Sequence, residues 1–281
     1  MVLLVKATVK LQILGGGRMG SALLGGLLES GIHPPGEVCV VEIDQSRREQ
    51  LAAEYRGLVV SDAPVRSEGT VVAVKPLDVP EALRAAVGVG TSRVLSLAAG
   101  VATATLCGIC GDIPVVRAMP NTPALVRSGV TALAAGPNAG ELDMHWAEQV
   151  MGAVGSVVRV PESLMDAVTG LSGSGPAYVF LVAEALVEAG VAVGLPRDVA
   201  HFLVRETLAG SARMLATEGA EPSRLRADVT SPGGTTAAAL AVLERGATRA
   251  AFIDAVRAAT RRSAELEREV RAATAGDEEG G

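Results

Sequence analysis

The sequence predicts an α/β N-terminal Rossmann domain, a mostly parallel doubly wound sheet, followed by an all-α C-terminal domain. Three observations carry that expectation. Short β-branched runs alternate with helical stretches from residue 11 onward, a Gly-x-Gly-x-x-Gly turn follows the first run at once, and no strand-like alternation recurs beyond Pro161.

Length and composition permit this reading. The 281 residues can bury more than one core, and 49% hydrophobic against 20% charged residues places the chain among globular proteins. A formal net charge of −6 provides no electrostatic footprint for nucleic acid or an anionic membrane surface, so a small-molecule ligand is expected. The strands are expected at 11–14, 38–43, 70–74, 93–97 and 115–118, with helices at 19–29, 46–55 and 79–87 between them. Strand, helix, strand in that order means right-handed crossovers and a parallel sheet. Runs at 129–135 and 156–160 flank a helix at 141–151 and close the first domain, residues 1–160.

The second domain, residues 161–272, is punctuated as helices: Pro176 and Pro196 suit first helical positions, and Gly190 and Gly246 suit C-caps. The segment 176–189 is apolar nearly all round, more than one stripe of a monomer core requires. An oligomer interface would bury it; burial within its own domain is the alternative. The stretch 176–195 approaches membrane-spanning length but carries Glu184 and Glu188, so no span is expected. Residues 273–281 are Gly- and Glu-rich and are expected to form a disordered tail. The N-terminal residues show no extended apolar region with a cleavage pattern, which argues for a cytoplasmic protein.

Cys39, Cys107 and Cys110 are too few and too unevenly placed for a disulfide framework, and Cys107-Gly-Ile-Cys110 reads as two small helix residues. His33, His145 and His201 show no metal spacing, so no metal is expected.

The chemistry begins at Gly15-Gly-Gly17-Arg18-Met19-Gly20. Gly15 would make the tight turn, Gly17 would let the backbone approach a pyrophosphate, and Gly20 would let helix and strand pack closely. The helix N-terminus adds N–H donors and a positive dipole end. After the second strand, Glu42 and Asp44 would hydrogen-bond the ribose 2′-hydroxyl of NADH, whereas Arg47 and Arg48 would pair a 2′-phosphate of NADPH. These two signals conflict.

Residue scarcity adds a clue. Among 22 arginines the chain has three lysines, and Lys6 and Lys10 lie in its first ten residues. Lys75 stands instead at a strand end, where ligands of open α/β sheets bind. Asn121, one of two asparagines, stands in Met119-Pro-Asn-Thr-Pro123 just beyond another strand. A surface lysine and a turn-forming asparagine are the plainer alternatives.

Six separated segments resemble the pyrroline-5-carboxylate reductases: ILGGGRMGSALLGG at 13–26, AVKP at 73–76, LAAGV at 97–101, RAMPNTPAL at 117–125, VTGLSGSGPAY at 168–178 and TSPGGTT at 230–236. The resemblance implies an NAD(P)H-dependent oxidoreductase acting on a C=N bond. Its reaction would be reduction of 1-pyrroline-5-carboxylate to L-proline, the last step of proline biosynthesis, with NADPH and with NADH as an alternative. It implies a homodimer whose helical domains interlock and which assembles further into a ring such as a decamer.

Implied cofactor contacts are Gly15, Gly17, Arg18, Met19, Gly20, Arg47, Arg48, Ala73, Val74, Lys75, Pro76, Ala98, Ala99, Gly100 and Asn121. Implied substrate contacts are Ser231, Gly233, Gly234, Thr235 and Thr236, with Asp228 and Glu162, and Thr236 and Lys75 carry catalysis. Ser231 to Thr236 precedes an Ala- and Leu-rich helix, so its N–H groups would form a carboxylate site. Two positions depart from the family pattern: Arg18 stands where asparagine is usual, and the Glu42/Asp44 pair is unusual for a strict NADPH user. The weighed alternatives are a related imine or β-hydroxyacid reductase, and a dinucleotide-binding scaffold without catalysis.

Overall fold

In the computed structural model, residues 9–276 are described, with side chains described to residue 272. Lys6, the reading of the N-terminal residues and the last five residues of the expected tail fall outside them.

From residue 9 onward strands and helices follow one another as anticipated: β1 (Val9–Leu14), α1 (Arg18–Glu29), β2 (Val38–Val41), α2 (Gln45–Glu54), β3 (Val59–Ser61), β4 (Ser67–Val72), α3 (Val79–Val89) and β5 (Val94–Ser96). They continue with α4 (Thr103–Cys110), β6 (Val115–Met119), β7 (Gly129–Ala135), α5 (Glu141–Gly152) and β8 (Gly155–Arg159). One sheet holds all eight strands in the order β3-β2-β1-β4-β5-β6-β7-β8. Every neighbouring pair is parallel except β6 and β7, where Arg117 stands opposite Ala134.

Helices cover both faces, which is why the central strands are apolar on both sides. One face buries Leu11 and Ile13 under Leu23, Leu24 and Leu27 of α1 and Trp146 of α5. The other buries Val72 and Val94 under Leu83 of α3 and Leu106 of α4. Between β1 and β4 the fully buried Gln12 bonds Ser67 Oγ at 3.0 Å and Thr70 Oγ1 at 2.9 Å. Its carbonyl accepts from the Val65 N–H, so each polar group of the side chain is satisfied.

Beyond β8 the chain is helical: α6 (Met165–Val168), a π-helical turn (Thr169–Gly173), α7 (Gly175–Ala192), α8 (Arg197–Leu215), α9 (Pro222–Asp228), α10 (Thr235–Arg245) and α11 (Thr248–Gly276). Pro196 is the N-cap of α8, one residue before the first helical position expected for it, while Gly246 caps α10 as expected. Gly190 does not end a helix. It lies inside α7, where a Cβ would come within 3.0 Å of Ala200 Cβ, so it serves the close crossing of α7 and α8.

Contacts divide the chain at a different place from residue 160. One compact unit runs to Ser174 and includes the chain from Ala258 onward; the other is Gly175–Arg257. The segment after Pro161 stays with the sheet because Glu162 bonds Arg117 and the Ser172 carbonyl accepts from Asn121. Helix α11 continues to Gly276, past the start of the expected tail at 273.

Candidate active site

Only Gly15, Gly16 and Gly17 separate β1 from α1. Gly15 adopts φ +100°, and a Cβ there would lie 2.9 Å from the Ala73 carbonyl oxygen, so the turn presses against the chain leaving β4. At Gly20 a Cβ would stand 2.0 Å from the Gly15 carbonyl oxygen, which only glycine avoids. Gly17 is the open side: nothing lies within 4 Å of its Cβ position. It is the N-cap of α1 and no side chain caps that helix, nor does its first turn hold an acid. The unpaired N–H groups of that turn, including those of Arg18 and Met19, are donors suited to an anion, and the dipole end favours negative charge. A dinucleotide pyrophosphate fits this cradle.

At the end of β2 the Glu42 carboxylate lies against the same turn. Its Oε2 accepts from the Gly16 N–H at 2.9 Å and its Oε1 from the Asp44 N–H at 3.0 Å. Asp44 Oδ1 caps α2 by accepting from the Arg47 N–H at 2.9 Å. The Arg47 side chain does not project from the strand end: Nε donates to the Gly16 carbonyl at 2.9 Å, Nη2 to Ser21 Oγ at 2.7 Å and Nη1 to Gln50 Oε1 at 3.0 Å. Arg48 Nη1 donates to the carbonyls of Glu42 and Ile43 at 2.7 and 2.8 Å. The expected phosphate-binding role of Arg47 therefore meets a side chain already occupied in bracing the loop.

Beyond β4, Ala73 donates its N–H to the Leu14 carbonyl at 2.8 Å, fixing Ala73, Val74, Lys75 and Pro76 beside the glycine turn. Lys75 itself is exposed. Ala98, Ala99 and Gly100 form the corresponding turn after β5. After β6, the side chain of Asn121, expected at the cofactor, is hydrogen-bonded within the fold. Its Oδ1 accepts from the Val130 N–H at 2.9 Å and its Nδ2 donates to the Ser172 carbonyl at 3.3 Å, so the amide joins the Met119–Pro123 loop to β7 and to the π-helical turn. Such turns concentrate at functional sites.

Glu162, expected at the substrate, is likewise committed inside the fold. Its Oε1 accepts from the Thr103 N–H at 2.6 Å, closing the N-terminus of α4, and from Arg117 Nη1 at 3.1 Å. Arg117, Thr103 and Glu267 were not singled out from the sequence. An arginine inside the otherwise apolar strand Val115–Met119 is the signal that could have found this cluster.

In the other compact unit, Ser231 to Thr236 joins α9 to α10. The Gly234 N–H closes a turn on the Ser231 carbonyl at 3.1 Å, so the free donors shift to the first turn of α10, with Thr235 and Thr236 as its first two residues. No side chain caps α10: neither Ser231 nor the threonines spend their hydroxyls there. Thr236 is half-buried, and Asp228, the last residue of α9, is exposed.

Residues 10–100 match the family described as NADP oxidoreductase coenzyme F420-dependent, and residues 162–266 match pyrroline-5-carboxylate reductase dimerisation. A pyrroline-5-carboxylate reductase of Synechocystis sp. is 44% identical over 264 residues, 92% of this chain and 98% of that protein. The solved pyrroline-5-carboxylate reductase of Coxiella burnetii superposes with a TM-score of 0.86 at 35% identity, covering 92% of this chain and 99% of that one. The chain belongs to the pyrroline-5-carboxylate reductase family. A solved pyrroline carboxylate reductase of Plasmodium falciparum, with NADP bound, has a TM-score of 0.80 at 28% identity, covering 92% and 98% of the two chains.

The Rossmann part precedes the stretch matched to dimerisation. Here that stretch contains α7 to α10, and within the single chain α7, α9 and α10 bury no residue while α8 buries only Ala200. The alternative of burial within its own domain is thus not realised for α7: Phe180 is 61% and Leu181 66% exposed. By length and composition alone the helical run Glu162–Ala192 could cross a membrane. Among the described residues no cluster of three His, Cys, Asp or Glu side chains could hold a metal ion.

Proposed function

We propose that this chain reduces 1-pyrroline-5-carboxylate to L-proline with NADPH, NADH being the alternative donor. The observation that carries the reading is the open, uncapped glycine turn at Gly17, in a chain of this family. The cofactor, when bound, supplies the hydride that reaches the imine carbon. Everything else falls to the protein's own groups. The N–H groups of Gly17, Arg18 and Met19 would hold the pyrophosphate, and Ala73 to Pro76, Ala98 to Gly100 and Lys75 would line the rest of the cofactor's course. In the SPGGTT segment the N–H groups at the start of α10 would hold the substrate carboxylate, and the Thr236 hydroxyl would bond the ring nitrogen and orient the C=N bond. Positioning supplies most of the acceleration in such a site.

The assembly is read as a homodimer through α7 and α8, extending to a ring such as a decamer. Support comes from a groove of about 590 Å³ in which apolar Val179, Phe180 and Leu208 lie beside Glu184, Glu188 and Arg205. Charged side chains within an apolar groove suit a protein partner better than hydrocarbon. A cytoplasmic site is supported by three free thiols, two of which, Cys39 and Cys110, burial pushes up to about 12.

The decisive experiment follows oxidation of NADPH, and of NADH, with 1-pyrroline-5-carboxylate and purified protein. Proline formation supports the reading; binding of the dinucleotide without turnover would return the chain to the scaffold alternative.

A further inference from the structure

We propose that Glu42 is the specificity-determining residue of the dinucleotide site, its carboxylate bonding the adenosine-ribose 2′-hydroxyl of NADH and opposing the 2′-phosphate of NADPH. The proposal rests on the dinucleotide reading above and sharpens it. The ribose of a dinucleotide held at the β1–α1 turn lies at the C-terminal end of the second strand. Glu42 is the first residue beyond β2, and its position is fixed: one carboxylate oxygen takes the Gly16 N–H and the other the Asp44 N–H. Each oxygen keeps further lone pairs for a hydroxyl donor. A second carboxylate, Asp44, is exposed beside it.

The Arg47 counterweight is spent within the turn. All three guanidinium nitrogens of Arg47 are bonded to Gly16, Ser21 and Gln50, and one Nη of Arg48 lies on the carbonyls of Glu42 and Ile43. A 2′-phosphate would meet two carboxylates, with the Arg47 side chain turned toward the loop. Like charges at such range oppose binding, and partial exposure leaves the opposition open to salt screening. Arg47 is then a positioning residue that braces the Gly16 carbonyl, and its removal should weaken both dinucleotides alike. NADH use by this chain follows from Glu42, and a preference for NADPH would be narrowed by it.

Calorimetric titration of the full chain with NAD⁺ and NADP⁺ tests this independently of catalysis. In Glu42→Gln, which retains one oxygen acceptor, the affinity ratio of NADP⁺ to NAD⁺ should rise by about tenfold, and raised salt should lift NADP⁺ binding relative to NAD⁺ more in the unaltered chain than in the variant. Arg47→Ala should leave the ratio unchanged. An unchanged ratio in Glu42→Gln, or a selective loss of NADP⁺ in Arg47→Ala, overturns the proposal while leaving the dinucleotide reading intact. If neither dinucleotide binds the unaltered chain, that reading itself fails. Should Glu42→Gln not fold, the unaltered chain still decides: adenosine 2′,5′-bisphosphate binding tenfold tighter than adenosine 5′-diphosphate would overturn the proposal, and the reverse order would support it.

Discussion

Arg117 Nη1 donates to Glu267 Oε2 at 3.0 Å across 150 residues of sequence, and the same nitrogen reaches Glu162 Oε1 at 3.1 Å. The arginine is 5% exposed, so its charge depends on both carboxylates, and the pair ties the end of α11 and the start of the helical region to β6. Arg117→Ala should therefore cost about 3 kcal/mol, since it leaves two part-buried carboxylates without their cation. Denaturant unfolding measures this, and a loss below about 1 kcal/mol would show that solvent already screens the cluster.

The turn supports a sharper steric expectation. Gly20→Ala places a methyl group 2.0 Å from the Gly15 carbonyl oxygen, and the turn must shift to admit it. Stability should fall by about 1–3 kcal/mol or more and dinucleotide affinity should fall with it. Calorimetry on the purified variant would contradict this if affinity were preserved.

Thr236→Val keeps the side-chain shape and removes the hydroxyl. Because no side chain caps α10, the melting temperature should hold while kcat/KM for pyrroline-5-carboxylate falls about tenfold. A lowered melting temperature with unchanged kinetics would make the hydroxyl structural.

Lys75 is exposed and adjoins the glycine turn through the Ala73 to Leu14 bond. Lys75→Ala should raise the KM for the dinucleotide about threefold or more by removing one exposed charge–phosphate contact, an effect on the order of 1 kcal/mol. Steady-state kinetics unaltered for both substrates would mark it as an ordinary surface lysine.

Acid should loosen the β8–α5 edge. Hydrogen bonds from Arg159 hold the Glu148 and Glu141 carboxyls below the ordinary 4.5. A carboxylate depressed in the folded state contributes stability above its unfolded value and loses it as pH falls through the lower folded value. Thermal melts from about pH 6 to pH 3 should fall more steeply for the unaltered chain than for Arg159→Gln, and parallel slopes would remove the pair from the acid response.

Much of the fold was legible because it rests on local pattern. The β-branched runs of β1, β6 and β7, the helical periods of α1 and α5, and the glycine turn are written in adjacent residues, and parallel pairing follows from strand–helix alternation. The dinucleotide cradle was legible for the same reason, since its glycines, strand and helix are contiguous in sequence. Tertiary structure alone decided β3, three half-buried residues that pair only with β2, and the antiparallel turn-back of β7 on β6. It also decided that Asn121 and Glu162 hold the fold together, that Arg47 braces the turn, and that Gly190 makes a helix crossing. A side chain's partner is chosen by which distant backbone and charge arrive beside it. Arg117 shows how far that choice lies beyond local pattern, with partners 45 and 150 residues away.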